Sequence, residues 1–374
     1  MTLVDEEPLD VVVIGGGAAG VGVAVALKDA GIENFAVLER QRVGASFDAW
    51  AAETQFITPS FPTNSIGMLD LNAIAIGVSP GHFLEAEHPT GPDYARHLRA
   101  VAEYFEIPVR EHIEVTAITH DARGFLIHLS ETGLYARHVV WAAGEFQYPR
   151  LISFTGSELC RHTSTIGSYE DLEGDDFVII GGYESGVDAA YHLAFRDKLV
   201  RLLDSANPWE RVSTDPSITL SPFTLERMRE DWFLEQVELI PHTPVTSVLR
   251  EGGGFVVTAR DGTQFETEVP PLYAGGFEGS HLLVDNLFEL RPDGFPLLNE
   301  QDESTLVPGL FLCGPAVRHE EHIFCFIYKY RQRFAIVAKA IATSLGEPAH
   351  GLEKYRTWGM YLDDLSCCGE ECIC

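Results

Sequence analysis

The chain reads Val11-Val12-Val13-Ile14-Gly15-Gly16-Gly17-Ala18-Ala19-Gly20 at the point that decides its fold. An apolar, β-branched strand enters a glycine turn, and the apolar segment from Val21 to Leu27 then predicts a buried helix. Gly15 permits the tight turn, Gly17 lets the backbone approach a pyrophosphate, and Gly20 lets helix and strand pack closely. Strand, glycine turn and helix in this order are typical of a dinucleotide-binding fold.

An acidic residue completes this first signature. The second strand, residues 35–38, ends at Glu39, about 20 residues beyond the turn, where a carboxylate accepts hydrogen bonds from a ribose with a free 2′-OH. The N-terminus of the helix at Ala18 and Ala19 would face the phosphates. We therefore expect the first half of the chain to bind a dinucleotide.

A second, altered copy of the signature begins at residue 177. Strand residues 177–180 lead into Gly181-Gly182-Tyr183-Glu184-Ser185-Gly186, and a further strand ends at Asp204. Tyr183 replaces the middle glycine, so its side chain would crowd a pyrophosphate unless it turns aside. Asp204 disfavours a 2′-phosphate, which favours NADH over NADPH if this half binds a nucleotide. The alternative is a degenerate half that is kept for its architecture.

Small residues close each half in the same way. Residues 139–144 end in Ala143 and Gly144, and residues 272–276 end in two glycines, which suits a chain that passes close to a nucleotide. The two copies predict an α/β fold with two Rossmann-like, three-layer dinucleotide-binding domains. We expect a discontinuous FAD-binding domain at 1–152 and 277–360, an NAD(P)-binding-like domain at 153–276, and a cysteine-rich tail at 361–374.

Periodicity and turn residues predict the elements between these turns. A helix should run from Pro92 or Asp93 to Phe105, and a long helix from Phe324 to Leu345. Paired strands are expected around two turns, at 113–119 with 125–130 and at 255–259 with 264–268.

Composition excludes several classes of partner. The 374 residues are 45% hydrophobic and 22% charged, which is ordinary for a globular protein of two domains. The formal net charge of −30 makes nucleic acid and anionic membrane surfaces poor partners. The apolar run from Val11 to Leu27 is rich in glycine and is a signature, not a membrane span. Because residues 1–7 are acidic, unlike a signal peptide, we expect a cytoplasmic location.

Further motifs carry a family resemblance. They are Gly44-Ala45-Ser46-Phe47-Asp48-Ala49-Trp50, Phe56-Ile57-Thr58-Pro59, residues 143–149, and His162-Thr163-Ser164. Over residues 8–345 the chain resembles the bacterial flavin-containing monooxygenase-like flavoproteins, within the thioredoxin-reductase-like two-dinucleotide-binding superfamily.

The resemblance implies FAD as the cofactor and assigns roles by position. Gly15, Gly17, Gly20, Glu39 and Arg40 would hold the ADP part, and Val115 would present backbone to adenine. Ser46 and Trp50 would lie near the flavin, Ala143 and Gly144 beside the nucleotide, and Cys313, Gly314 and Pro315 at the ribityl chain. Cys313 would thus lie close to the flavin, although it and Cys325 are more typical of buried apolar residues.

The chain departs from the family patterns at three points. Cys160 stands where the monooxygenase signature has a histidine, and Pro315 stands where disulfide reductases have an aspartate. Neither domain contains the internal Cys-x-x-Cys of ordinary thioredoxin reductases. The histidines at 319 and 322 could share a metal, but such residues more often cap a helix or line a pocket, so we predict no metal site there.

Four of the seven cysteines lie in the last eight residues, Cys367-Cys368-Gly369-Glu370-Glu371-Cys372-Ile373-Cys374. Neighbouring thiols can act as a dithiol relay, because one thiolate attacks a disulfide and the other resolves the mixed species. They can also bind a soft metal ion, or form an inert tail. The spacing matches no zinc-ribbon pattern, and we favour Cys367, Cys368, Cys372 and Cys374 as redox-active residues.

The sequence therefore predicts an FAD-dependent oxidoreductase. NADH or NADPH, with NADH favoured, would reduce the flavin, and electrons would leave through the tail to a small-molecule or small-protein thiol or disulfide acceptor. One alternative is an NAD(P)H-dependent flavin monooxygenase that acts on a soft nucleophile. Another is a flavin-containing metal-thiolate binding protein with little turnover. We also expect a homodimer.

Overall fold

A computed structural model of the chain describes residues 2–3, 7–62, 69–151 and 153–367. Cys367 ends a 3-10 helix, Leu365–Cys367, whereas Cys368, Cys372 and Cys374 lie outside the described residues. Within the described part, no helix is long and apolar enough to cross a membrane.

Within the described residues, the strands belong to four sheets. In chain order they are β1 (Thr2–Leu3), β2 (Leu9–Ile14), β3 (Phe35–Leu38), β4 (Val109–Arg110), β5 (Val115–Asp121), β6 (Gly124–Leu129), β7 (Thr132–Trp141), β8 (Arg161–His162), β9 (Asp176–Ile180), β10 (Leu199–Leu203), β11 (Val237–Ile240), β12 (Val245–Glu251), β13 (Gly254–Ala259), β14 (Gln264–Thr267), β15 (Leu272–Tyr273), β16 (Leu310–Leu312), β17 (Arg318–His319) and β18 (His322–Ile323).

The helices connect and cover these sheets. They are α1 (Ala18–Asp29), α2 (Ala45–Asp48), α3 (Pro80–Leu84), α4 (Gly91–Tyr104), α5 (Glu184–Ala194), α6 (Pro222–Arg227), α7 (Asp231–Gln236), α8 (Ile327–Tyr330), α9 (Phe334–Leu345) and α10 (Glu353–Thr357). Shorter 3-10 helices lie at Ser157–Leu159, Thr163–Thr165, Pro208–Glu210, Ser280–Leu287, Arg331–Arg333 and His350–Leu352.

The first sheet is built around the strand of the first signature. Its order is β4-β3-β2-β7-β6-β5, with β1 and β16 also paired to β7. β2 runs parallel to β3 and β7, and its residues Val11–Ile14 are buried, as expected for a central parallel strand covered on both faces. α1 packs against α9 so closely that a Cβ on Gly22 would lie 2.1 Å from the Phe334 ring.

The second sheet repeats this arrangement. Its five strands are parallel in the order β11-β10-β9-β15-β8, and α5 follows β9 as α1 follows β2. Two sheets with parallel cores, each with a strand, glycine turn and helix at its centre, confirm the predicted α/β fold class, and β6 and β5 extend the first sheet by antiparallel pairing.

The predicted hairpins and the first helix are confirmed with small shifts in their bounds. β5 pairs antiparallel with β6, and β13 with β14. α4 begins after Thr90, whose hydroxyl accepts a hydrogen bond from the Asp93 N–H.

The predicted long helix from Phe324 to Leu345 is wrong. The structure has α8, then the 3-10 turn Arg331–Arg333, then α9. Two buried arginines accompany this break: Arg331 donates to the Ala73 carbonyl at 2.8 Å, and Arg333 donates to Asp302 at 2.9 Å. Each buried guanidinium needs a hydrogen-bond acceptor, and the two acceptors come from different segments of the chain. The 3-10 turn orients Arg331 and Arg333 so that each guanidinium contacts its own acceptor.

The residues that precede the tail are attached to this same turn. The Leu362 N–H donates to the Gln332 carbonyl at 3.1 Å, and Arg333 donates to the Leu362 carbonyl. The guanidinium of Arg356 lies 3.9 Å from the centre of the Tyr361 ring. The chain is therefore held, up to Leu362, against the turn between α8 and α9.

Candidate dinucleotide-binding cavity

A cavity of about 1050 Å³ lies at the carboxyl ends of the first sheet. The last residues of β2, β3 and β7, which are Ile14, Leu38 and Trp141, all line it. Ligands of open α/β folds bind at this edge of a sheet, where the strand order reverses. The fold thus places the first glycine turn at the wall of a large cavity.

The three glycines of the first turn do different work. Gly15 has φ +106°, and a Cβ there would lie 2.6 Å from the Ala142 carbonyl oxygen. A Cβ on Gly20 would lie 1.8 Å from the Gly15 oxygen, whereas a Cβ on Gly17 would meet no atom within 4 Å. Gly15 and Gly20 therefore allow close packing, and Gly17 leaves its backbone open to the cavity.

Glu39 orders the turn and faces the cavity. Its carboxylate accepts hydrogen bonds from the N–H groups of Gly16 at 2.7 Å and Gln41 at 2.8 Å. A carboxylate has about four acceptor positions, so both oxygens can also accept from ribose hydroxyls.

Most of the residues predicted to hold FAD lie in the cavity wall. They are Gly15, Gly17, Ala18, Ala19, Glu39, Arg40, Ser46, Trp50, Val115, Ala143, Gly144 and Pro315. Gly20 and Gly314 are not part of the wall and lie behind it, since a Cβ on Gly314 would be 3.2 Å from the Ala19 Cβ.

A cluster of aromatic rings also lines the cavity. The ring centre of Trp50 lies 5.0 Å from that of Phe56 and 6.3 Å from that of Phe146. Nearby, the Ser46 hydroxyl donates to the Gln147 side chain at 2.7 Å, and Gln147 donates to the Ala143 carbonyl at 2.7 Å. These bonds connect the short helix α2 to the loop after β7.

Sequence reasoning did not single out Glu145, which also lines this cavity. Burial raises the pKa of its carboxyl group, and the charge of Arg318 opposes that rise only in part. Glu145 therefore holds a proton more readily than an exposed glutamate. Its position directly after the Ala143-Gly144 turn was the signal that could have identified it.

The two central cysteines differ in their surroundings. Cys313 is a buried core residue, as its apolar neighbours predict, and it is not part of the cavity wall, whereas Cys325, also expected to be a core residue, lines the cavity. Burial raises the pKa of the Cys325 thiol, although Ser217 and the charges of Lys329 and Arg318 lower it. The thiol is therefore protonated near neutral pH.

The second glycine turn copies the first in detail. Gly181 has φ +102°, and a Cβ on Gly186 would lie 1.8 Å from the Gly181 oxygen. Asp204 accepts from the N–H groups of Gly182 and Ala206, both at 2.7 Å, as Glu39 does in the first half.

The second turn lies outside the main cavity, although its helix borders it. Gly181, Tyr183, Gly186 and Asp204 do not line the cavity, but Glu184 and Ser185 in the first turn of α5 do. The Tyr183 side chain, 37% exposed, is directed toward residue 219, and its hydroxyl donates to the Thr219 carbonyl at 2.6 Å.

Buried charges join the two halves beside the cavity. Asp188 of α5 accepts from Thr54 and from Arg227, both at 2.7 Å, and Glu53 pairs with Arg196 at 2.8 Å. Burial alone would raise the pKa of Asp188, but its interactions with His192 and Arg227 outweigh that effect and lower it to about 2. The carboxylate therefore stays charged and holds α5 to the cavity wall.

Two glycine turns at the ends of two parallel sheets define the class of two-dinucleotide oxidoreductases. The chain belongs to the pyridine nucleotide-disulphide oxidoreductase family, whose family model matches residues 12–314. This membership confirms the predicted superfamily.

Known relatives agree with this assignment. Bacilliredoxin reductase Bdr from Bacillus subtilis is 23% identical over 319 residues, which are 81% of this chain and 88% of that protein. An uncharacterized CzcO-like oxidoreductase from Geobacillus kaustophilus is 26% identical over 193 residues, which are 50% of this chain and 51% of that protein. The chain spans about half the length of the first curated relatives that it matches.

Solved structures show the same fold. Bacillithiol disulfide reductase Bdr from Staphylococcus aureus has a TM-score of 0.74 at 18% identity, over 91% of this chain and 99% of that one. A flavin-containing monooxygenase from Stenotrophomonas maltophilia has a TM-score of 0.68 at 16% identity, over 91% of this chain and 100% of that one. At such identities the likeness concerns the fold alone.

Proposed function

We propose that this protein is an FAD-dependent oxidoreductase that passes electrons from NAD(P)H to a thiol or disulfide acceptor. The observation that carries the proposal is the wall of the cavity. The open backbone at Gly17, the Glu39 carboxylate and the aromatic residues Trp50, Phe56 and Phe146 all line this one cavity. When bound, FAD would supply a group that accepts and releases two electrons.

The residues present fit the parts of FAD. A pyrophosphate suits the N-terminus of α1, where the N–H groups of Ala18 and Ala19 have no partners within the helix. Ribose hydroxyls suit Glu39, and an extended backbone at Val115 suits adenine. The aromatic side chains of Trp50 and Phe56 would exclude water from the part of the cavity that they line. Glu145, which also lines the cavity, would hold a proton.

We assign the exit of electrons to the tail cysteines. Leu362 is held at Gln332, two residues from Tyr330, which lines the cavity. The twelve residues after Leu362 can span up to about 40 Å when extended, so the tail can reach the cavity or a second subunit. One solved structure with this fold is a bacillithiol disulfide reductase, which supports a disulfide as the electron acceptor.

The tail chemistry is a thiol–disulfide exchange. One tail thiolate attacks the acceptor disulfide, forms a mixed disulfide and releases one thiolate, which takes up a proton. A second tail thiol then breaks the mixed disulfide, so the acceptor becomes two thiols and the tail dithiol becomes a disulfide. The two electrons that restore the tail come from NAD(P)H. NADH is favoured, because Asp204 would repel a 2′-phosphate.

Replacing Cys367, Cys368, Cys372 and Cys374 together by serine tests this role. We expect the variant to bind FAD as the natural chain does, because the described wall of the cavity is formed by residues up to Tyr330, well before the tail. It should lose most NADH-driven reduction of the small disulfide DTNB. The measurement is the DTNB rate per bound FAD.

Cys160→Ser is the matched control. Burial raises the pKa of that thiol to about 12, so it is a poor nucleophile and its loss should leave the rate unchanged. An undiminished DTNB rate in the four-serine variant would exclude the relay and favour the metal-thiolate or monooxygenase alternatives.

A further inference from the structure

Residues 205–221, called the strap here, lie across the second glycine turn. A Cβ built on Gly182 would be 2.6 Å from the Trp209 ring, so this ring covers the backbone of the turn. The next residue of the turn also contacts the strap, since the Tyr183 hydroxyl donates to the Thr219 carbonyl at 2.6 Å. Trp209 and Thr219 of the strap therefore contact Gly182 and Tyr183, two consecutive residues of the turn that a pyrophosphate would have to approach.

The far end of the strap is tied to the helix that follows the turn. Glu184, in the first turn of α5, accepts from the Ser221 N–H at 2.6 Å and from the Thr224 hydroxyl at 2.5 Å. The carboxylate thus binds protein donors at the helix end where a dinucleotide phosphate would otherwise bind.

The middle of the strap is bound to helix α8. Lys329 of α8 donates to Asp215 at 2.7 Å and to the Ser217 hydroxyl at 2.8 Å. The Lys329 side chain is 10% exposed, and its neighbours Ile327 and Tyr330 line the main cavity. The strap thus spans from the second glycine turn to the wall of the FAD-type cavity.

This path is the one that a nicotinamide would use. Glu184 and Ser185 of α5 border the same cavity as Tyr330, so a nucleotide on the second turn would reach the cavity past the first turn of α5. The strap occupies both the nucleotide backbone site and the bridge between the halves.

We propose that the strap is a lid, closed in this structure, and that a nicotinamide dinucleotide binds the second turn only after the lid has lifted. The Tyr183–Thr219 and Lys329–Asp215 contacts are its two latches. The inference rests on the proposed function, since it concerns how NADH reaches the protein. A binding site that is open in only a fraction of molecules has an apparent Kd raised by that fraction.

Two conservative variants should release the lid. Tyr183→Phe removes one hydroxyl and keeps the ring, and Asp215→Asn keeps the size and removes the charge that pairs with Lys329. With FAD-loaded protein, each should lower the apparent Kd for NAD⁺ about three- to tenfold by calorimetry. Hydrogen exchange of strap amides should become faster in both variants, and NAD⁺ should accelerate it further.

Matched controls remove equivalent groups elsewhere. Tyr104→Phe removes an exposed hydroxyl, and Asp175→Asn breaks a surface ion pair with Lys198 of 2.7 Å. Neither should change NAD⁺ affinity or strap exchange.

Three results would contradict the proposal that the strap is a lid. They are unchanged affinity and exchange in both latch variants, slower strap exchange when NAD⁺ binds, and no NAD⁺ binding even in the double variant. DTNB reduction driven by light and EDTA, without nicotinamide, tests the proposed oxidoreductase separately. If that reaction and FAD content persist while the lid test fails, the lid alone is wrong.

Discussion

Gly20 and Gly186 occupy the same position in the two glycine turns. A Cβ at either would lie 1.8 Å from the carbonyl oxygen of Gly15 or Gly181, a distance that no packing tolerates. The clash is the same in both halves, but the large cavity is lined by Gly15 and Gly17 of the first turn and not by Gly181 or Tyr183 of the second. Substituting each of these two glycines therefore distinguishes the loss of stability caused by a distorted turn from the loss of cofactor binding.

Gly20→Ala should lose bound FAD, because the displaced turn carries Gly17 and the N-terminus of α1. Gly186→Ala should keep FAD while losing about 2 kcal/mol or more of stability in the second half. Absorbance of flavin per protein and thermal unfolding measure the two effects. Equal loss of FAD in both variants would contradict the assignment of the cavity to the first turn.

Sequence spacing could identify Glu39 because the acid lies at a set distance beyond its turn in the same βαβ unit. Glu145 could have been identified from its position directly after the Ala143-Gly144 turn, whereas no such signal marks Cys325. The place of Cys325 in the cavity wall depends on how the segment before α8 meets the loop after β7 in space. Local sequence patterns do not encode that contact.

Among the helices, α4 contains a buried histidine that makes the protein sensitive to acid. His97 is 2% exposed, and among the described residues neither ring nitrogen has a hydrogen-bond partner. Burial lowers its pKa to about 4. The unfolded chain therefore takes up a proton before the folded one does, and stability falls as the pH drops from about 6.5 toward 4.

His97→Leu should remove this part of the acid sensitivity. Between pH 7.5 and pH 5 the natural protein should lose about 2 kcal/mol more stability than the variant. Urea unfolding at the two pH values measures the difference. The exposed His82→Leu serves as the control, and a variant as acid-sensitive as the natural protein would show that His97 is not the cause.

Periodicity predicted α4 and both hairpins because each depends on neighbours in sequence. The break between α8 and α9 was missed, since Arg331 and Arg333 obtain their partners from Ala73 and Asp302, far away in the chain. The strap was missed for the same reason. Its residues have neither helical nor strand periodicity, and Lys329 and Tyr183 lie on other segments.

At the scale of the whole molecule, the internal repeat was the most informative signal. Two copies of one signature predicted a fold with two Rossmann-like units, and the structure contains two sheets with parallel cores, each with one glycine turn. How the halves face one another depends on contacts such as Asp188 with Thr54 and Arg196 with Glu53, which no repeat encodes. These contacts place the N-terminus of α5 at the cavity of the first half.

The central claim is that electrons stored on the flavin leave through the tail cysteines. Its most direct test is anaerobic thiol labelling of the C-terminal peptide, followed by mass spectrometry, before and after reduction of bound FAD by light and EDTA. A dithiol and its disulfide exchange two electrons, so at least two thiols among Cys367, Cys368, Cys372 and Cys374 should appear on reduction. Labelling of Cys160 should not change. A number of tail thiols that is independent of the redox state of the flavin would contradict the account.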